Sequence, residues 1–356
     1  MPPIRIPKRG IPSTWYFLVT LRCNLKCAHC SLREILNKYP GEAGLNHIRK
    51  AFDKIPLEGT AFILSGGEPF LRIDLAEIVK FLKEEKSVEN VTIETNGIAA
   101  TREMLESVIG SGINYLYVSV DGFPDAYEKI RGRKEYFHKA INTVKTAIDL
   151  GAPYVYVITT INKFNVGSID EFAAFLIKDV GVDGVRFLLV EELGGGKEIG
   201  ESITDKVSFI KKIEYLHKKF GHHKIAYYLP PAVVPPRMRA RISCNLGLYA
   251  IGILPDLRLT LCYRSVNLAT KKTLLEADLN SLLQESFIKS MRTIYTTARY
   301  KGVCDLCAFK ELCCGACRIA AYDILGSMDS PYPICQKLYE QGIFPEVFLA
   351  GFKIGK

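Results

Sequence analysis

Three cysteines, Cys23, Cys27 and Cys30, stand in a CxxxCxxC spacing within Leu21-Arg-Cys-Asn-Leu-Lys-Cys-Ala-His-Cys30, just after the apolar run Trp15 to Leu21. Three thiolates on one tight loop can hold three irons of a cubane [4Fe–4S] cluster, whose fourth iron then stays open to a small molecule. Zinc would ask for paired ligands that close a tetrahedron, so a lone triplet suits it less well. The chain has 11 cysteines, an odd number, and no signal-peptide h-region follows Met1-Pro-Pro-Ile-Arg. That combination argues against a disulfide framework and for metal, in a cytoplasmic setting.

The rest of the chain alternates short β-type runs with helical spacings. Apolar runs recur at Tyr16–Leu21, Ala61–Leu64, Val91–Glu94, Tyr115–Val120, Tyr154–Thr160 and Val185–Val190. Between them lie amphipathic stretches such as Leu75-Ile78-Val79-Leu82 and Ala140-Val144-Ile148. Six such repeats predict parallel βαβ units in an α/β fold, too few to close an eight-stranded barrel. A partial (β/α)6 TIM-like barrel is expected, with the ligand site at the C-terminal strand ends. The domain reading is an arm at 1–14, a barrel at 15–228, and a linker with a cysteine-rich domain at 229–356. A proline-rich segment, Tyr228 to Pro236, marks the border.

Candidate site residues fall at the strand ends. Ser65-Gly-Gly-Glu-Pro69 follows the second strand. Gly66 and Gly67 let backbone approach closely, and Glu68 offers a carboxylate to an ammonium group. Glu94-Thr-Asn-Gly97 and Ser119-Val-Asp-Gly122 end the third and fourth strands with hydroxyl and amide groups beside a glycine. The sixth strand ends in Glu191-Glu-Leu-Gly-Gly-Gly-Lys197, which lacks Walker spacing and reads as a flexible loop over the barrel mouth. Net charge of +9 is scattered, giving no case for nucleic acid, and no apolar run reaches the length of a membrane span. Three alternate arginines, Arg237, Arg239 and Arg241, form the densest basic stretch.

Together these motifs resemble the radical S-adenosylmethionine (radical SAM) superfamily, with Cys23, Cys27 and Cys30 as its cluster loop and Gly66-Gly-Glu-Pro69 as its GGEP loop. The resemblance implies that Gly66, Gly67, Glu68 and Pro69 hold the methionine amine of S-adenosyl-L-methionine. It implies that Thr95, Asn96, Ser119 and Asp121 contact the nucleoside, and that Arg131 pairs with the methionine carboxylate. His29 stands where relatives carry an aromatic near adenine.

A second cysteine set follows the border: Cys244, Cys262, Cys304, Cys307, Cys313, Cys314, Cys317 and Cys335. The CxxCxxxxxCxxxC run is strong grounds for further metal. Cys244 and Cys262 bracket an expected hairpin turning at Pro255-Asp256. The set resembles the SPASM extension of one radical SAM subfamily. By that resemblance Cys304, Cys307, Cys313 and Cys335 hold one auxiliary [4Fe–4S] cluster, and Cys244, Cys262 and Cys317 the other. Cys314 or an open iron would complete the latter. The glycine that the subfamily places five residues before its second cysteine is Leu257 here.

The implied activity is a maturase that generates a 5′-deoxyadenosyl radical to oxidise a peptide or protein side chain, with a ferredoxin- or flavodoxin-type electron donor. The alternatives are tetrapyrrole side-chain modification or decarboxylation, and modification of a metallopterin cofactor. A non-catalytic zinc or iron–sulfur scaffold leaves the GGEP loop unexplained.

Overall fold

The computed structural model describes residues 11–200, 203–234 and 246–349. Arg237, Arg239, Arg241 and Cys244 lie outside the described residues.

Ten strands form one sheet in the order β10-β9-β8-β1-β2-β3-β4-β5-β6-β7. They are β1 (Thr14–Thr20), β2 (Ala61–Gly66), β3 (Asn90–Thr95), β4 (Tyr115–Ser119), β5 (Tyr154–Ile161), β6 (Gly184–Leu189), β7 (Ile225–Tyr227), β8 (Ala250–Ile253), β9 (Arg258–Thr260) and β10 (Ala269–Thr273). Every pair from β1 through β7 is parallel. The six expected strands are therefore all present, each followed by helix, as a right-handed crossover between parallel neighbours requires. No helix among the described residues is long and apolar enough to cross a membrane.

The alternation of β1 decides its two faces. Trp15, Phe17 and Val19 join the main buried core, where Trp15 stacks on Phe62 of β2 at 6.0 Å and Phe17 meets Phe52 edge-on at 5.7 Å. Tyr16, Leu18 and Thr20 point to the other face, where Tyr16 lies 6.0 Å from the ring of Tyr263. That second face is more polar. It carries Glu94, Tyr117 and Arg186, whose guanidinium sits 4.4 Å over the Tyr117 ring and donates to its hydroxyl at 2.9 Å.

Two features of the sheet exceed the sequence reading. A seventh parallel strand, β7, pairs with β6 over only three residues, too short for any periodic signal. At the other edge the expected hairpin forms between β8 and β9, and β8 runs parallel to β1, with Thr14 opposite Ala250. The cysteine-rich part thus continues the barrel's own sheet.

Leu257 occupies the hairpin turn with φ +70° and no exposed surface. The left-handed conformation usually filled by glycine is kept, and a leucine side chain is buried from it. A left-handed non-glycine residue costs about 1–2 kcal/mol, whereas burying a leucine is worth about 2–5 kcal/mol when judged by truncation. Leu257→Gly is therefore expected to lower stability by about 1–3 kcal/mol in a denaturant titration, despite relieving the turn.

Candidate functional site

The first cysteine loop leaves β1 at Thr20 and is pinned at its apolar root by Leu18, Leu21 and Leu32, which bury one another. Asn37 clamps its start. With φ +61°, a conformation asparagine tolerates, it accepts from the Cys23 N–H through Oδ1 at 2.9 Å and donates through Nδ2 to the Cys23 carbonyl at 3.1 Å.

The Gly66-Gly67 pair is explained by the same loop. A Cβ on Gly66 would lie 2.1 Å from the Thr20 carbonyl oxygen, and one on Gly67 would lie 2.0 Å from that of Arg22. The space goes to backbone hydrogen bonds, Gly67 N to Thr20 O and Glu68 N to Arg22 O, both 2.8 Å. Only glycine permits that approach. Glu68 is fully buried and accepts from Thr95 Oγ1 at 2.6 Å, Asn96 N at 2.7 Å and Phe70 N at 3.1 Å. Burial pushes its carboxyl up, and these donors pull it back. A carboxylate accepts at about four lone-pair sites, so one remains for a further donor. Asn96 Nδ2 bonds Asn24 at 2.8 Å and reaches Cys23 Sγ at 4.0 Å. Pro69 opens a short turn that Glu68 caps. Ser119 ends β4 opposite Ile158.

Asp121 and Arg131 find each other. Asp121 is fully buried; its Oδ2 accepts from Arg131 Nε at 2.7 Å and from His29 Nε2 at 3.0 Å, and its Oδ1 from Thr160 N at 2.7 Å. Burial opposes the charge, but Arg131 and then His29 hold the carboxyl well below the usual carboxylate range. Arg131 in turn donates to Cys27 Sγ at 3.7 Å. A carboxylate, a guanidinium and an imidazole thus brace the middle cysteine from behind, and His29 is bound to Asp121.

The glycine run after β6 was expected as a flexible loop over the barrel mouth. Instead its backbone packs on the cysteine loop. A Cβ on Gly195 would lie 2.1 Å from the Ala28 carbonyl oxygen, one on Gly194 would lie 2.8 Å from those of Cys30 and Ser31, and Gly195 N donates to Cys30 O at 3.1 Å. The signal was there: three successive glycines mark close backbone approach as readily as mobility.

In the C-terminal part, Cys304, Cys307, Cys313 and Cys335 line one cavity with Gly315, Tyr332 and Phe344. Each of three sulfurs outside the first loop accepts a backbone N–H from a nearby residue: Cys304 from Tyr332 at 3.3 Å, Cys307 from Phe309 at 3.4 Å and Cys317 from Ala320 at 3.4 Å. Cys262 Sγ accepts from Arg264 N at 3.4 Å. Neither Cys262 nor Cys317 lines that cavity, and Cys317 lies near enough that a thiolate there would push the Cys262 thiol up further. Cys314, at φ +53°, donates its thiol to the Glu311 carbonyl at 3.4 Å.

Between the two cysteine regions runs an open cleft of about 300 Å³, lined by Ser31, Leu32, Gly194, Lys197, Arg264 and Asp323 among others. The half-buried Arg264 donates through Nε to the Tyr263 hydroxyl at 3.0 Å; the Glu191 and Glu94 carboxylates act on its charge, but neither forms an ion pair with it among the described residues. From the sixth strand end, Glu191 accepts from the buried Tyr332 hydroxyl at 2.7 Å, and Glu192 pairs with Lys337. These contacts join barrel and extension. Motif reading missed Arg264 and Tyr332 because neither stands in a recognisable string.

The radical SAM superfamily model matches residues 17–176. The chain is 25% identical over 338 residues to the AdoMet-dependent heme synthase of Nitratidesulfovibrio vulgaris, covering 89% of this chain and 90% of that one. It is 28% identical over 242 residues to the antilisterial bacteriocin subtilosin biosynthesis protein AlbA of Bacillus subtilis, covering 67% and 52%. Its fold is like that of anSMEcpe with bound AdoMet, with a TM-score of 0.73, 15% identity, and 93% and 95% of the two chains covered. The chain carries a radical SAM superfamily domain over residues 17–176, followed by a cysteine-rich part. It is an enzyme that uses S-adenosylmethionine and [4Fe–4S] clusters.

The residues in place suit those groups. All ten described cysteines are free of disulfides. The sulfurs of Cys262, Cys304, Cys307 and Cys317 accept from backbone N–H donors, as cluster thiolates do, and such donors tune cluster potential. Without metal the thiols stay protonated, because burial pushes Cys23 and Cys30 up and Cys27 up to about 12. Loading a cluster would displace those protons.

Proposed function

We propose that the enzyme oxidises a side chain of a carboxylate-bearing tetrapyrrole held in the cleft between the two cysteine regions. The observation that carries this reading is Arg264, a guanidinium on the cleft wall with no ion pair among the described residues. Arginine recognises a carboxylate with two parallel N–H donors. The full-length likeness to a heme synthase supports the same class, and the cleft falls within the size range of small-molecule sites.

In this reading residues 15–228 form the barrel and 229–356 the extension. Cys23, Cys27 and Cys30 hold the first cluster. Gly66, Gly67, Glu68, Pro69, Thr95, Asn96, Ser119, Asp121 and Arg131 form the S-adenosylmethionine side. Within that set, Glu68 offers its remaining lone pair to the methionine ammonium. Asp121 and Arg131 act one step back, fixing Cys27 and His29. Cys304, Cys307, Cys313 and Cys335 hold one auxiliary cluster, and Cys262 and Cys317 share the other with Cys244. When bound, S-adenosylmethionine and the reduced cluster supply a 5′-deoxyadenosyl radical that removes hydrogen from an unactivated carbon. The protein's part is to orient the substrate through Arg264 and to keep water from the reacting carbon. A ferredoxin- or flavodoxin-type protein provides the reducing electron, in the cytoplasm.

A peptide substrate is the second reading, favoured by the likeness to AlbA. Mixing with a propionate-bearing porphyrin separates the two. A tetrapyrrole enzyme shifts the porphyrin's visible spectrum with saturation, and Arg264→Met weakens that binding about tenfold or more, the worth of one charge-assisted hydrogen bond. No saturable shift in the wild-type protein would leave the peptide reading standing.

Metal content tests the ligand assignment. Anaerobically reconstituted protein is expected to carry about twelve irons, falling to about eight in the variant Cys23→Ala/Cys27→Ala/Cys30→Ala. Zinc in the C-terminal cysteines, with about four irons in all, would make the extension a structural staple.

A further inference from the structure

Arg318 follows Cys317 directly and is fully buried. Its Nη1 donates to the carbonyls of Met328 at 3.1 Å and Ser330 at 2.6 Å, and its Nη2 to that of Gly315. Its Nε has no partner, and its guanidinium lies 5.3 Å from the centre of the Tyr300 ring. Among the described residues no carboxylate pairs with it. A cation buried with carbonyls alone is strongly disfavoured, so the fold must supply negative charge nearby.

Gly315 shows where that charge belongs. It lines the cavity formed by Cys304, Cys307, Cys313 and Cys335. At φ +71°, a Cβ on it would lie 2.5 Å from Arg318 Cζ. The glycine thus lets the guanidinium pack directly behind the cavity wall. A cubane cluster with four thiolates is anionic in both oxidation states and gains one more negative charge on reduction. Net charge and hydrogen bonding around a cluster set its potential.

We propose that Arg318 is the buried counter-charge of the cluster held by Cys304, Cys307, Cys313 and Cys335, and that it raises the reduction potential of that cluster so that it accepts electrons readily. The inference rests on the cluster assignment given above. Arg318 touches no reacting atom; it acts through the cluster.

The test is a redox titration followed by electron paramagnetic resonance. The background is the variant Cys23→Ala/Cys27→Ala/Cys30→Ala/Cys262→Ala, which leaves the four-cysteine centre. Into it go Arg318→Met, Arg318→Gln and Arg318→Lys, each with iron, sulfide and zinc measured. The neutral variants are expected to shift the reduction equilibrium at least tenfold toward the oxidised form, equal to about 59 mV for one electron. Arg318→Lys stays within threefold of the parent. Failure of both neutral variants to load iron, with Arg318→Lys loading normally, supports the same conclusion. An unchanged potential in a loaded neutral variant overturns it. So does an equal shift in all three, or loss of iron from all three, since either makes hydrogen-bond geometry or packing the cause. If the parent itself takes zinc in place of iron, the cluster assignment falls first, and this inference with it.

Discussion

Asp121→Ala is expected to destabilise the protein by about 3–5 kcal/mol and to impair iron loading of the first loop. The reason lies in what the substitution leaves behind. Arg131 is buried, its Nε bond goes to Asp121, and its other charge-assisted contact is the Cys27 sulfur. Removing the carboxylate strands a cation in a buried site, and frees His29 and the Thr160 N–H as well. Asp121→Ala/Arg131→Met should therefore lose less than the sum of its two single variants, because removing both charges ends the mismatch. Denaturant titration of the metal-free protein measures the cycle. A loss below about 0.5 kcal/mol for Asp121→Ala would mean the pair is solvated and does not brace the loop. The pH dependence has a definite sign. Asp121's carboxyl is held below its unfolded value of about 3.9, so its contribution is present above that pH and is lost only as pH falls through the lower folded value.

That network marks the limit of motif reading. The cysteine spacings, the Gly66-Gly67-Glu68 string and the six apolar runs were legible because each is local: a spacing, a turn, a period. The runs landed on β1 to β6 because each of these strands buries an apolar face in the main core, even though the second face of the sheet is partly polar. What could not be read was pairing between distant residues of unlike type. Asp121 was visible as a polar group at a strand end and Arg131 only through the resemblance, yet nothing in the string says that they bind each other and His29. Tyr332 and Glu191 lie 141 positions apart and meet across the barrel and the extension. The attachment of β8 to β1 is likewise a tertiary fact, since a three- or four-residue strand carries no register of its own. Leu257 is the instructive case. It stands where the subfamily places a glycine, yet the turn keeps a left-handed residue, and burial of the leucine offsets the strain.

Gly195→Ala is expected to have the second large effect, reaching the first cluster from a loop that holds no cysteine. The Cβ would stand 2.1 Å from the Ala28 carbonyl oxygen and 3.0 Å from its carbon, both backbone, which cannot swing aside as a side chain can. Either the glycine run lifts off the cysteine loop, breaking the Gly195 N to Cys30 O bond, or the loop itself moves. Overpacking of this kind costs about 1–3 kcal/mol, occasionally more. The larger consequence is geometric, because three thiols must converge on one cluster and Cys30 sits at the displaced contact. The variant should fold but load about four fewer irons than wild type, with S-adenosylmethionine binding lost in parallel. Gly167→Ala is the matched control: its Cβ meets nothing within 4 Å and its backbone is not left-handed. It should keep full iron and gain up to about 1 kcal/mol from reduced unfolded-state freedom. If Gly195→Ala loads the first loop as fully as Gly167→Ala, the glycine run is only a neighbour of the loop. If it does not, the cysteine spacing alone is insufficient: the cluster site is made of two chain segments, one supplying sulfur and the other the flat backbone surface that holds the sulfurs in place.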